Sequence, residues 1–197
     1  MSDARIALAE IGRDFHARGW MSGTAGNLSV RDADGIWITA SGRAKGRLGV
    51  DDFIRLDRAG RVLASAPGLR PSAETALHVG VYRLFPLAGA CLHVHSVASC
   101  LGARAAEDAL RLPPLEMLKA FDVWLEAPEI DLAVFPNHLD VGRIAGEIEV
   151  RFKAQPPAVS AFLIRNHGVT VWGETLDQAY HRVEALEFLL EYLAYSH

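Results

Sequence analysis

The chain opens on an amphipathic stretch. Ala4, Leu8, Ile11 and Phe15 recur at helical spacing and predict a helix over 3–18, with Ser2 as its cap and Gly19 as its end. The pattern then shortens to strand-like runs over 27–31, 36–40, 53–57 and 61–64, with turns marked by Asp34-Gly35 and Ala59-Gly60. Pro71-Ser72 opens a second helix that runs to about Leu84, with Ser72 as cap and Pro86 as stop. The apolar run Ala90-Cys91-Leu92-His93-Val94-His95 reads as a buried strand. Beyond it, Leu112-Pro113-Pro114 introduces a short helical piece over 115–121. A helix follows over 139–152, then strands over 159–165 and 169–172. The last helix is the clearest element. Thr175 and Gln178 fit a capping box, and Leu176, Ala179, Val183, Leu186, Leu190 and Leu193 form one stripe. Helices and strands interleave, and several strands read as antiparallel. The expected fold class is therefore α/β, a layered α/β/α domain around a mainly antiparallel sheet.

Composition narrows the classes. At 197 residues the chain fits a single domain over 1–197 with a full core. A net charge of −4 leaves no basic footprint, so nucleic acid is not an expected partner. No apolar run reaches the ~18 residues of a membrane helix, so no membrane partner is expected. Residues 1–5 show no apolar leader. Two cysteines, Cys91 and Cys100, suit a reducing cytoplasm and offer no disulfide framework.

The chemistry lies in the histidines. His93 and His95 stand two apart on a strand and so share a face. His167-Gly168 follows a second strand-like run. Three neutral imidazoles with an open fourth position are the pattern of a catalytic zinc or similar divalent ion, which makes the chain a metalloenzyme. Cys91 shares the face of His93 and His95 and reads as a small buried filler rather than a ligand. His16, His138, His181 and His197 lack a partner pattern and read as solvent-facing. His78 follows Glu74 by one helical turn and reads as half of a helix surface pair.

Three loops are rich in small polar residues: Gly23-Thr24-Ala25-Gly26-Asn27, Ala40-Ser41-Gly42-Arg43-Ala44-Lys45-Gly46 and Pro71-Ser72-Ala73-Glu74. Each is an ordinary turn or cap taken singly. Together they offer backbone N–H groups and hydroxyls suited to a phosphate, with Lys45 as a compensating cation. Two glutamates are candidates for acid/base work. Glu74 reads equally as a helix N-terminal charge, and Glu116 equally as a surface partner of Lys119; composition leaves both pairs of readings open.

Several segments carry a resemblance to a known family. They are the run from Gly19 to Ser29, Ile38-Thr39-Ala40-Ser41-Gly42, Pro71-Ser72-Ala73-Glu74-Thr75, His93-Val94-His95-Ser96, Glu116-Met117-Leu118-Lys119 and the run from Leu163 to Gly173. Together they cover almost the whole chain, which resembles the class II aldolase family of the fuculose-phosphate aldolase type. Within it, the chain is most similar to the bacterial branch that dehydrates methylthioribulose 1-phosphate in methionine salvage. The resemblance implies a three-layer α/β/α fold, one zinc ion (Zn2+) per subunit on His93, His95 and His167, and a phosphate pocket from Asn27, Ser41, Gly42 and Ser72. It also implies a sugar-phosphate substrate and a cyclic homotetramer with active sites near subunit borders. In the aldolases a glutamate at the position of Glu74 is metal ligand and acid/base. In the dehydratase branch the acid/base falls on Glu116. This chain has both, and Ala73 replaces a serine common in the aldolases, which removes one hydroxyl from the pocket. Met117 and Trp124 are candidate liners for a methylthio group, with core filling the expected role of each. The alternatives are an aldolase, which breaks a carbon–carbon bond instead of releasing water, and a non-catalytic interaction domain like the heads of some cytoskeletal proteins. The full histidine set speaks against the latter.

Overall fold

The structure is a computed structural model and describes residues 3–104 and 106–196. Ser2, expected to cap the first helix, and His197 lie outside the described residues. Helix α1 (Ala4–Ala17) is capped by Asp3, whose carboxylate accepts from the Arg5 backbone N–H at 3.0 Å. Strands β1 (Asn27–Asp32), β2 (Gly35–Thr39), β3 (Phe53–Leu56) and β4 (Val62–Ala64) form a meander. Helix α2 (Thr75–Leu84), strand β5 (Ala90–Val94), helix α3 (Val97–Gly102) and strands β6 (Ala109–Arg111) and β7 (Asp131–Phe135) follow. Helix α4 (Val141–Ala154), strands β8 (Ala161–Ile164) and β9 (Gly168–Gly173) and helix α5 (Leu176–Tyr195) complete the chain.

The strands form one sheet in the order β4-β3-β2-β1-β5-β9-β8-β7-β6. Every neighbouring pair among the described residues is antiparallel except β7 with β8. Alternation along the strands sorts side chains to two faces. On one face Leu28, Leu92, Val94, Val169 and Val171 pack with Leu8 and Phe15 of α1 and Val183, Leu186 and Leu190 of α5. On the other, Ile38, Ile54, Cys91, Phe162 and Trp172 pack with Leu77 and Val81 of α2 and Ile144, Ile148 and Phe152 of α4. The expected three-layer α/β/α architecture is the one observed. Cys91 is a buried core filler, as read from the sequence. Among the described residues, no helix is long and apolar enough to cross a membrane.

The structure differs from the expected elements in three respects. The second helix begins at Thr75, not at Pro71, because Pro71 bridges Ala40 at the end of β2 and holds the segment off the helix axis. The Ser72 hydroxyl accepts from the Glu74 backbone N–H at 3.3 Å instead of capping a first turn. The elements α3, β6 and β7, of six, three and five residues, were not read from the sequence. Helix α5 buries more than its stripe, including Arg182 and Glu187; burial pushes the Glu187 carboxyl up to about 7.

Phe162 lies at the centre of the second core layer, with Phe135, Phe152 and Trp172 ringed around it at centroid distances of 5.7, 6.1 and 6.2 Å. We expect Phe162→Ala to cost about 3–5 kcal/mol in urea unfolding. A loss below about 1 kcal/mol would place the packing centre of this layer elsewhere.

Candidate metal centre

The centre sits at one end of the three middle strands. Strand β5 runs between β1 and β9, with His93 opposite Asn27 on one side and Thr170 on the other. His93 is the penultimate residue of β5. His95 lies just beyond its end, where its N–H donates to the Trp20 carbonyl at 2.8 Å and its backbone bridges Met21. His167 is supplied by the tight connection between β8 and β9. There Asn166 takes a left-handed conformation (φ 54°), and the His167 N–H donates to the Ile164 carbonyl at 3.2 Å. The next residue must be small. A Cβ on Gly168 would collide with the Val94 carbonyl, so only glycine lets this turn close on β5. Glu74 enters from the residue before α2.

The three imidazoles expected to meet do meet. His95 Nε2 lies 2.8 Å from His93 Nε2, and His167 Nε2 lies 3.4 Å from it. Glu74 joins them, its Oε1 at 2.9 Å from His167 Nε2, 3.7 Å from His95 Nε2 and 3.9 Å from His93 Nε2. All four donor atoms lie within 4.8 Å of one another. Bonds of about 2.0–2.1 Å in a tetrahedron place ligand atoms about 3.3 Å apart, so the observed separations bracket those of a divalent cation's first coordination shell. Three nitrogens and one carboxylate oxygen are also the donor types such an ion takes.

The electrostatics agree. Burial, with the neighbouring imidazoles, holds His93 well below its ordinary value and brings His95 down to about 4, so both rings are neutral and able to donate a lone pair. Burial alone would raise the Glu74 carboxyl. The hydrogen bond from His167 is the largest opposing influence and holds Glu74 well below the usual carboxylate range. In the tautomer a cation requires, His93 Nδ1–H donates to Thr170 Oγ1 at 2.8 Å and His167 Nδ1–H donates to Asn137 Oδ1 at 3.2 Å. Thr170 and Asn137 were not found from the sequence. Thr170 leaves a faint signal as the polar residue between Val169 and Val171, but only the strand register says what it faces.

The three polar loops also converge. The Ser41 N–H donates to the Arg70 carbonyl at 2.9 Å, and Ala40 bridges Pro71. Lys45 is buried, and its ammonium donates to the carbonyls of Thr24 (2.8 Å) and Arg43 (3.0 Å), tying the first loop to the second. Burial brings this lysine down to about 8, against the pull of Glu74 and Asp52. Gly42 adopts a left-handed φ of 73° with open space where a Cβ would stand. The Asn27 amide nitrogen donates to Ser72 Oγ at 3.1 Å and to Glu74 Oε2, so both of its N–H directions are taken within the protein.

Other expectations are corrected. His78 is no surface partner of Glu74. It is fully buried, with Nδ1 2.7 Å from Ser29 Oγ and Nε2 bonded to the Asn27 amide oxygen. His138 is half-buried and bonded to Glu147 at 3.0 Å. Trp124, for which core filling was expected, is 71 % exposed. Glu116 stands outside the four-residue cluster. It sits on a 3-10 turn, 80 % exposed, ion-paired to Lys119 at 2.6 Å, and lines a cavity of about 380 Å³ with Trp124. That turn is anchored by Arg182, whose guanidinium donates to the carbonyls of Ala120 (3.0 Å) and Trp172 (3.1 Å) and to Asp122 (2.8 Å).

A Glu/His3 cluster on the edge of a three-layer sandwich, flanked by glycine-turn loops, defines a metal-dependent enzyme of the aldolase type. Residues 6–194 match the family of the Class II Aldolase and Adducin N-terminal domain, and the chain belongs to that family. It is 50 % identical over 196 residues to a methylthioribulose-1-phosphate dehydratase of Microcystis aeruginosa, covering 98 % of this chain and 96 % of that one. It is 45 % identical to a protein of the same name from Methylococcus capsulatus, over 93 % of this chain and 89 % of that one. Among solved structures it is similar to an L-fuculose-1-phosphate aldolase of Thermus thermophilus. There the TM-score is 0.77 and the identity 26 %, over 96 % of this chain and 93 % of that one.

Replacing Thr170 by valine keeps the shape of β9 and removes the acceptor for His93 Nδ1–H. We expect Thr170→Val to weaken the binding of added zinc about 10–100-fold in competition with a chelator. Unchanged affinity would mean that His93 is oriented by the strand alone.

Proposed function

We propose that this chain is a zinc-dependent methylthioribulose-1-phosphate dehydratase, converting 5-methylthioribulose 1-phosphate to 5-methylthio-2,3-dioxopentyl phosphate and water. The carrying observation is the convergence of His93, His95, His167 and Glu74 at one point, beside three small polar loops that contacts within the protein tie together. The near full-length similarity to proteins named for this reaction supports the choice of substrate. In this reading residues 1–197 form one catalytic domain, working in the cytoplasm as a homotetramer.

His93, His95, His167 and Glu74 hold the ion, which when bound supplies Lewis-acid polarisation of the sugar's oxygens. Ser41, Gly42 and Ser72 receive the phosphate through hydroxyls and backbone N–H groups, and Asn27 serves the pocket by orienting Ser72. Held at both ends, the substrate presents its reacting carbons to the acid/base groups in a fixed pose. The reaction removes the C3 proton and releases the C4 hydroxyl as water, and the enol left behind tautomerises to the diketone. Glu116, as the acid/base, takes up the C3 proton and returns it to the leaving C4 hydroxyl, so the two departures together make one water. Its exposure in the single subunit fits a site completed at a subunit border.

Glu116→Gln is expected to keep its zinc and lose about 10²–10⁴ in turnover. Near wild-type dehydration by that variant, with metal intact, would remove Glu116 from the role. The reading as a whole is tested by assaying purified protein with methylthioribulose 1-phosphate beside fuculose and rhamnulose 1-phosphates, with metal content measured on the same sample. Water loss from the first substrate is expected. Release of dihydroxyacetone phosphate from either of the others would make the chain an aldolase.

A further inference from the structure

A chain of buried polar groups leads away from the metal centre and has no part in the chemistry above. Tyr82 Oη lies 2.7 Å from Ser29 Oγ, which lies 2.7 Å from His78 Nδ1. His78 Nε2 bonds to the Asn27 amide oxygen, and the Asn27 amide nitrogen bonds to Glu74 Oε2. His78, Ser29 and Tyr82 come from α2 and β1 and are all buried, so each needs a partner inside the protein, and the Cys91 carbonyl at 3.3 Å from Ser29 Oγ is a further, longer acceptor beside the group. With the Asn27 amide nitrogen facing Ser72 and Glu74 and its oxygen facing His78, one direction of donation satisfies every member. The phenol donates to the serine, the serine O–H donates to His78 Nδ1, and His78 Nε2–H donates to the Asn27 oxygen. The amide N–H groups then face Ser72 and Glu74.

The direction matters because an amide can be turned over. A flipped Asn27 would set its oxygen against the Glu74 carboxylate and its nitrogen against an imidazole N–H, a clash at both ends. His78 Nε2–H is the group that forbids the flip. With Glu74 Oε2 held by Asn27, the other oxygen, Oε1, points at the three histidines.

We propose that His78 is a positioning residue. By donating from Nε2 it fixes the orientation of the Asn27 amide, and through it aims Glu74 at the divalent cation. Burial keeps His78 neutral, down to about 4, as a ring with one donor and one acceptor requires. The inference rests on the cation reading of the centre and is independent of which sugar phosphate is turned over.

Two substitutions separate this role from mere packing. A glutamine amide nitrogen reaches about where imidazole Nε2 stands, whereas an asparagine amide reaches only as far as Nδ1. His78→Gln keeps the donor to Asn27; His78→Asn keeps only the contact with Ser29. Apo protein is titrated with zinc against a chromogenic chelator, and thermal unfolding is recorded on the same samples. We expect His78→Asn to bind zinc about 10–100-fold more weakly, and His78→Gln to stay close to the wild type. In the loaded enzyme His78→Asn should lower kcat, and His78→Gln should restore it. Equal zinc affinity in the two variants, or affinities that only follow their melting temperatures, would overturn the proposal and leave the metal reading standing. A wild-type protein that fails to hold zinc would overturn both.

Discussion

The site depends on how β5 is paired. With β1 on one side and β9 on the other, a single row across the sheet carries Asn27, His93 and Thr170. The middle residue is one of the four clustered donors, and its neighbours carry the two supports: Thr170 holds the ring of His93, and Asn27 holds Glu74. A slip of one residue in β5 would turn His93 to the face of Leu92 and Val94 and leave Thr170 opposite an apolar side chain. The burial of Leu92 and Val94 against α1 and α5 opposes that slip, so the same packing that stabilises the sandwich sets the register of the chemistry.

Much of this was legible in the residues themselves. The i, i+2 spacing of His93 and His95 places two imidazoles on one face without further information, and a glycine after His167 signals a turn that can approach another strand closely. The long periodic segments at the two ends of the chain gave α1 and α5 almost to the residue. What was not legible depends on partners distant in sequence. His78 looks like the second half of a helix surface pair until the sheet is assembled, when α2 presses it onto β1. Thr170, Asn137 and the anchoring of the Glu116 turn by Arg182 are likewise products of register and docking, for which a single sequence carries no periodic signal.

The two glutamates illustrate the same division. Glu74 and Glu116 have equal standing as carboxyl groups in a sequence. The fold separates them by environment, placing one half-buried among imidazoles and the other in solvent beside a lysine. A carboxylate gripped on both oxygens is suited to hold a charge in place. One on an open turn retains the freedom to approach a reactant.

The clustered donors at 74, 93, 95 and 167 belong to a helix entry, a strand exit and a hairpin connection, which meet only when the middle of the sheet is formed. A cation gripped by all four would therefore act as a removable cross-link between the two halves of the chain. Because the unfolded polypeptide offers no comparable cage, occupancy at a hundred times the dissociation constant adds about 2.7 kcal/mol to the folded state. The lifetime of the protein in a cell would then follow the supply of its metal, and scarcity would remove the catalyst by degradation as well as by inactivity.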